Sequence, residues 1–275
     1  MENPLESERL ESKTDAGLAL AHLDLVGLAP GMAVLDAGSG TGAVARAIAG
    51  RVGPAGRVVA LDASDGRSAE GAALAGDRLG NVAFVTGDVT APPLREASFD
   101  LVWSRFLFGY LRDPDLALVQ LASLVRPGGK VAVGEVDGHG LFHWPLPQRV
   151  ADGLAAFEQA LGGIFDPYAG RKLYHRFRRA GLEQVRVHVL PYHLLADEVS
   201  AAQLFNWKVK LQTLRPIGAR ALGGEAAYDA FASEYLAMLR DPDALTYSVL
   251  ILVEGVRGEA FDARARASVT SSERS

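Results

Sequence analysis

The sequence contains no cysteine. That absence excludes disulfides, thiolate metal centres and a thiol nucleophile. It also lacks a block of Lys and Arg: 28 basic residues stand against 33 acidic ones, giving a formal charge of −5. An electrostatic grip on a phosphate backbone is therefore not expected, nor is a nucleic-acid partner. No apolar run approaches the ~20 residues of a membrane-spanning helix, so no membrane association is expected. The opening stretch "MENPLESERLESKTDAG" is acidic and polar, the opposite of a signal or transit peptide, which points to the cytoplasm. What is present is 275 residues, 49% hydrophobic and 22% charged. That suits a soluble chain with one large α/β domain, or one such domain carrying a helical insertion.

From about residue 31 to 136, short runs rich in Val, Ala and Leu alternate with helix-like segments, the rhythm of parallel strands with crossover helices. "MAVLDA", "GRVVALDA", "NVAFVTGD", "SFDLVWS" and "GKVAVGEV" read as five successive strands. Asp113 and Pro114 form an N-cap and first-turn proline ahead of "DLALVQLASLV", and "RPGG" stops that helix. Beyond residue 138 the aromatic stretch "HGLFHWPLPQ" reads as a loop, followed by a helix over Val150 to Leu161. "RKLYHRFRRAG" has helical spacing that buries Leu173, Tyr174 and Phe177 and leaves its cations solvated. "LEQVRVHVLPYH" and "LTYSVLILVEGV" read as strands, and residues 198 to 240 as two helices broken near Pro216 to Gly224.

The segment "VLDAGSGTGAVARAIA" packs Gly38, Gly40 and Gly42 into five positions between a strand and a helix. Missing side chains let the backbone turn sharply and approach a ligand. The carboxylate of Asp36, just ahead of the turn, disfavours a pyrophosphate there and favours a ligand's ammonium group. No Lys-Ser or Lys-Thr pair follows, which excludes an ATPase-type phosphate loop. Asp62 ends the second strand, where a carboxylate can accept both ribose hydroxyls of a nucleoside, and Asp88 ends the third, within reach of an adenine amino group. Any one such acid is commonly a helix N-cap. Three of them on successive strands beside a glycine turn mark the ligand edge of an open sheet.

"VLDAGSGTG", "VVALDAS", "FVTGDV", "FDLVWSRFLFGYL" and "LVRPGGKVAVGEVDG", in this order and spacing, resemble the motifs of class I S-adenosylmethionine (SAM)-dependent methyltransferases. The likeness is to the small-molecule group that includes the ubiquinone and menaquinone C-methyltransferases, and it covers roughly residues 30 to 138. It implies a Rossmann-like α/β fold: a seven-stranded sheet, mostly parallel with the last strand antiparallel, helices on both faces and a helical lid insertion. It further implies SAM as cofactor. Asp36, Gly38, Ser39, Gly40, Thr41 and Gly42 would hold the methionine portion, Asp62 and Ala63 the ribose, and Asp88 and Val89 the adenine, with Ser104 and Arg105 alongside. Ser39 departs mildly from the cysteine or glycine usual in that slot. The expected organisation is an N-terminal helical cap over the cofactor mouth (1–30), a SAM-binding core (31–138), acceptor-binding lid helices with the final strand pair (139–257) and a disordered tail (258–275).

Methyl transfer is an in-line displacement at a sulfonium, so the protein must align a nucleophile and exclude water; a hydroxyl or activated-carbon acceptor also gains from a base tuned near neutrality. "EVDGHGLFHWP" offers His139 as first choice of base, His143 as second, and Asp137 to the acceptor pocket. Phe106, Tyr110, Trp144 and, on the helical insertion, Trp207 are candidate walls for a small, partly apolar acceptor methylated at O, N or C. No metal site is expected. The alternative is a pocket that uses bound SAM for its charge while catalysing cyclisation, rearrangement or decarboxylation.

Overall fold

Strict alternation on the first strand explains how the sheet is covered. In the computed structural model, which describes residues 15–76, 79–197 and 199–262, strand β1 (Ala33–Ala37) is buried at every position. Leu35 and Ala37 join one core cluster and Val34 the other, because successive side chains point to opposite faces. The first cluster is closed by helices α4 (Pro114–Leu124) and α6 (Ala169–Arg179), and the second by α1 (Ala16–Leu25) and α2 (Ala43–Val52). Helix α3 (Asp65–Ala75) packs beside strands β2 (Arg57–Asp62) and β3 (Val82–Thr86).

The sheet has seven strands in the order β3-β2-β1-β4-β5-β7-β6, with β4 spanning Phe99–Arg105, β5 Val125–Trp144, β6 Glu183–Leu195 and β7 Leu245–Val256. Strands β1 to β5 pair in parallel, and β7 runs antiparallel between β5 and β6. The strand order reverses between β1 and β4, so the crevice outside their carboxyl ends is where such a sheet takes its ligand. Helices α5 (Gln148–Leu161), α7 (Ala201–Ala221) and α8 (Glu225–Met238) build a third core around Phe157, Trp207, Tyr228, Phe231 and Tyr235.

Two expectations are corrected and one is narrowed. The stretch read as a loop, "HGLFHW", continues β5 to Trp144. A register shift between Asp137 and Phe142 lets Phe142, His143 and Trp144 pair with Tyr247, Thr246 and Leu245. Long-range pairing thus orders a stretch whose glycines speak for a turn. The break expected near Pro216 to Gly224 falls at its glycine end: α7, started by a Ser200–Gln203 capping box, runs through Pro216 to Ala221, and Gly223 and Gly224 have positive φ. A proline costs one helical hydrogen bond, which packing against α5 and α8 offsets. Tyr174 is half exposed while Leu173 and Phe177 are fully buried. At 100° per residue, Tyr174 lies outside the arc that Leu173 and Phe177 share. Residues 1–14 of the expected cap and 263–275 of the tail lie outside the described residues.

Candidate active site

Gly38, Gly40 and Gly42 all take positive φ (76°, 58° and 76°), the region that favours glycine. The turn is tied to the second strand: the Gly38 and Ser39 amides donate to the Leu61 carbonyl at 2.8 and 3.0 Å. A Cβ on Gly42 would lie 2.4 Å from the Phe84 ring, so α2 approaches the sheet only because that position has no side chain. Thr41 is buried, and its carbonyl accepts from Arg46 Nη1 at 2.7 Å.

Asp62 links β2 to this loop. Its Oδ2 accepts from the Gly40 amide at 2.8 Å, and its Oδ1 from the Ser64 amide at 3.0 Å and from Arg67 Nη1 at 3.4 Å. With two lone-pair directions on each oxygen, one remains on Oδ2 for a ribose hydroxyl. Ala63 follows, exposed. Beyond β3, Asp88 is exposed and its Oδ1 accepts from the amide and hydroxyl of Thr90, both at 2.8 Å, leaving Oδ2 to a ligand; Val89 is buried in the core beneath.

Asp36 and Ser104 stand on adjacent strands, buried, and Asp36 Oδ2 and the hydroxyls of Ser39 and Ser104 have no hydrogen-bond partner. Burial pushes the Asp36 carboxyl up to about 7; Arg105 opposes the shift and Asp62 adds to it. An orphaned carboxylate oxygen in a closed site fits an ammonium group. Arg105, at the end of β4, lies over the Phe106 ring at 4.9 Å, and Phe106, with φ 59°, packs at a tilt against Tyr192, ring centroids 4.9 Å apart. The N-terminal helix supplies His22, buried with its Nδ1 unpartnered and its pKa lowered by burial and by Arg105. The expected cofactor positions thus converge on the carboxyl ends of β1 to β4. His22 and Tyr192 were not anticipated from the sequence. A histidine in the otherwise Ala- and Leu-faced "AGLALAHLDL" was the available signal for the first.

The acceptor-side residues separate into two groups. His143 is buried, its Nδ1 2.8 Å from Thr246 Oγ1, its ring edge-on to Tyr235 at 5.5 Å; Trp207 packs on Tyr235 at 5.4 Å. Thr246 alternates in register with Leu250 and Leu252, and Leu252 faces α1 and α2, so His143 and Arg105 share that side of the sheet. Trp144 is next on the strand and 77% exposed. Asp137 gives both carboxylate oxygens to Arg171, at 2.9 Å each, and Tyr110 packs outside on Phe165. Trp144, Asp137 and Tyr110 are not brought together with His143. His139 lies in β5, but its side chain is outside the described residues. No group of three or more metal-ligating side chains occurs among the described residues.

Comparison with known proteins agrees with this geometry. Residues 34–129 match the family model described as a methyltransferase domain. Nocamycin O-methyltransferase of Saccharothrix syringae is 30% identical over 228 residues, covering 76% of this chain and 81% of that protein. A ubiquinone/menaquinone biosynthesis C-methyltransferase of a Shewanella species is 34% identical over 115 residues, covering 41% of this chain and 46% of that protein, less than half of its length. The solved phosphoethanolamine N-methyltransferase 2 of Haemonchus contortus, in complex with S-adenosyl-L-methionine, superposes with a TM-score of 0.57 over 88% of this chain and 53% of that one, at 18% identity, a shared fold. The chain belongs to the class I SAM-dependent methyltransferases, and its cofactor is S-adenosylmethionine.

Proposed function

We propose that the enzyme transfers the methyl group of SAM to an oxygen, nitrogen or carbon of a small, partly apolar molecule, with His143 as general base. Bound SAM supplies an electrophilic methyl on a sulfonium. Asp36 takes the cofactor's ammonium, Asp62 and Ala63 the ribose, Asp88 and Val89 the adenine, while the glycine turn lets the backbone close on the methionine chain. Residues 15–30 cap the cofactor mouth, and the helices within 139–257 enclose the acceptor. The acceptor lies between Phe106 and the lid helices, on the side of the sheet that carries α1.

The observation that carries this reading is the buried His143–Thr246 pair against Tyr235 and Trp207. The threonine hydroxyl fixes the imidazole's orientation, and the aromatic wall keeps water from it. The acidic charge and the apolar wall favour a small molecule over nucleic acid. Nothing in the site favours a non-methylating reaction, and the two relatives named above are an O-methyltransferase and a C-methyltransferase.

The test is to incubate the enzyme with methyl-labelled SAM and a panel of phenols, enols, carboxylic acids and amines, reading product mass. Once an acceptor is found, His143→Ala should lower kcat by ~10²–10⁴-fold while SAM affinity is unchanged. Wild-type rates in that variant would remove His143 from the chemistry. Turnover of acceptors without added methyl mass would remove the reaction.

A further inference from the structure

At the opposite edge of the sheet, where β1, β2 and β4 begin, a cavity of about 400 Å³ is lined by Arg57, Arg95 and Arg126 together with Ser98 and Asp100. A smaller cavity of about 120 Å³ shares Asp100 and Arg126. Three guanidiniums on one cavity are unexpected in a protein of net charge −5.

The ordinary explanation is that arginines at this edge cap helix carbonyls, since helices antiparallel to the strands end here. The hydrogen bonds say otherwise. At the end of α2, Val52 O is taken by the Gly31 amide and Ala49 O by the Gly53 amide and Asn81 Nδ2. At the end of α4, Ser123 O and Leu124 O are taken by the Ala97 and Ser98 amides, and Arg257, outside the cavity, adds a bond to Ser123 O. The cavity arginines are not used there.

Nor is their charge neutralised. Asp100 is the one acid of the lining, and its carboxylate is already divided: Oδ2 accepts from the Ala33 amide at 2.7 Å and Oδ1 pairs with Arg126 Nε at 2.8 Å. Arg57 Nη2 is held by the Ser98 carbonyl at 2.8 Å, which positions its guanidinium without offsetting it. Arg95 is exposed and has no ion-pair partner among the described residues. Two guanidiniums fixed by the strands and a third on the adjacent loop leave two net positive charges facing one concave site. Planar, forked donors at fixed positions suit phosphate oxygens.

We infer that this cavity is a second ligand site, remote from methyl transfer, that binds a phosphate or diphosphate group. The group's source is either inorganic diphosphate or a nucleoside diphosphate whose nucleoside extends into the smaller cavity.

Calorimetric titration of the full chain at low ionic strength, first with sodium pyrophosphate and then with ADP, tests it. Pyrophosphate should bind with a Kd of about 10⁻⁴ M, weakening as salt is added. Arg95→Ala should weaken binding about tenfold, and Arg95→Glu should abolish it, with SAM affinity and thermal midpoint unchanged in both. Tighter binding of ADP than of pyrophosphate identifies the nucleotide as the source, and equal or weaker binding identifies the free anion. No heat from either probe, binding of ADP without pyrophosphate, or wild-type affinity in Arg95→Glu would overturn the assignment.

Discussion

If Asp36 takes the cofactor's ammonium as proposed, cofactor affinity depends on pH in a way that can be worked from its surroundings. Its carboxyl, buried at the end of β1, is held up to about 7, while Arg105 and Asp62 act on it in opposite directions. Only the ionised form can pair with the cofactor's ammonium, and that ammonium, with an α-amino pKa of roughly 7.7–8.0, stays charged below pH 7. Ionisation falls from one half at pH 7 to about one in eleven at pH 6, so SAM affinity should fall about fivefold over that unit and tenfold for the next. S-Adenosylhomocysteine carries the same amino-acid end and should show the same slope, which separates the ammonium from the sulfonium. The pKa of His22 is lowered from its usual 6.5 by burial and by Arg105. In Asp36→Asn the slope should vanish and affinity at pH 7 should be weak. The folding equilibrium runs the other way: a carboxyl raised from 3.8 to about 7 disfavours the folded state as pH climbs through that interval, by ~4 kcal/mol above it. Asp36→Asn should therefore raise the thermal midpoint of the cofactor-free protein at pH 8. Calorimetry from pH 5.5 to 7.5 on both proteins checks this, and a flat wild-type profile refutes the reasoning.

Asp62→Ala should weaken SAM binding by about tenfold to a hundredfold, read by calorimetry, because the carboxylate holds the Gly40 amide and is the proposed ribose acceptor. Gly42→Ala should cost roughly 2–4 kcal/mol in chemical denaturation, since the position combines a φ of 76° with a Cβ site 2.4 Å from the Phe84 ring.

The cofactor half was legible in the sequence because its determinants are local. A strand, three glycines and acids at strand ends report positions that the parallel sheet brings to one edge, and the structure sets them there. The acceptor half depends on contacts between distant segments. His143 gains its place through contacts such as that with Thr246, 103 residues away. Trp144, on the neighbouring position, is carried to the other face by the alternation of the same strand. Asp137, equally polar in sequence, is consumed by Arg171 on α6. His22 was hidden for a further reason: its burial follows from α1 packing across α2, which a short Ala- and Leu-rich segment does not announce.

Gly138 is where local and distant determinants meet, and it can be tested. It opens the register shift of β5 with φ 69°, its amide donates to the Pro167 carbonyl, and a Cβ there would stand 2.6 Å from the Phe142 ring. That ring is stacked on Tyr247 at 5.0 Å with 13° between planes, so it has little freedom to withdraw. Gly138→Ala should displace Phe142 and, one residue on, loosen His143 from Thr246, costing about 1–3 kcal/mol. The glycine turn belongs to other strands, so SAM affinity should hold while turnover falls. Adding Phe142→Ala removes the clash but not the positive φ, and should restore part of the stability. Full turnover in Gly138→Ala would mean that the register of β5 does not govern the position of a catalytic base.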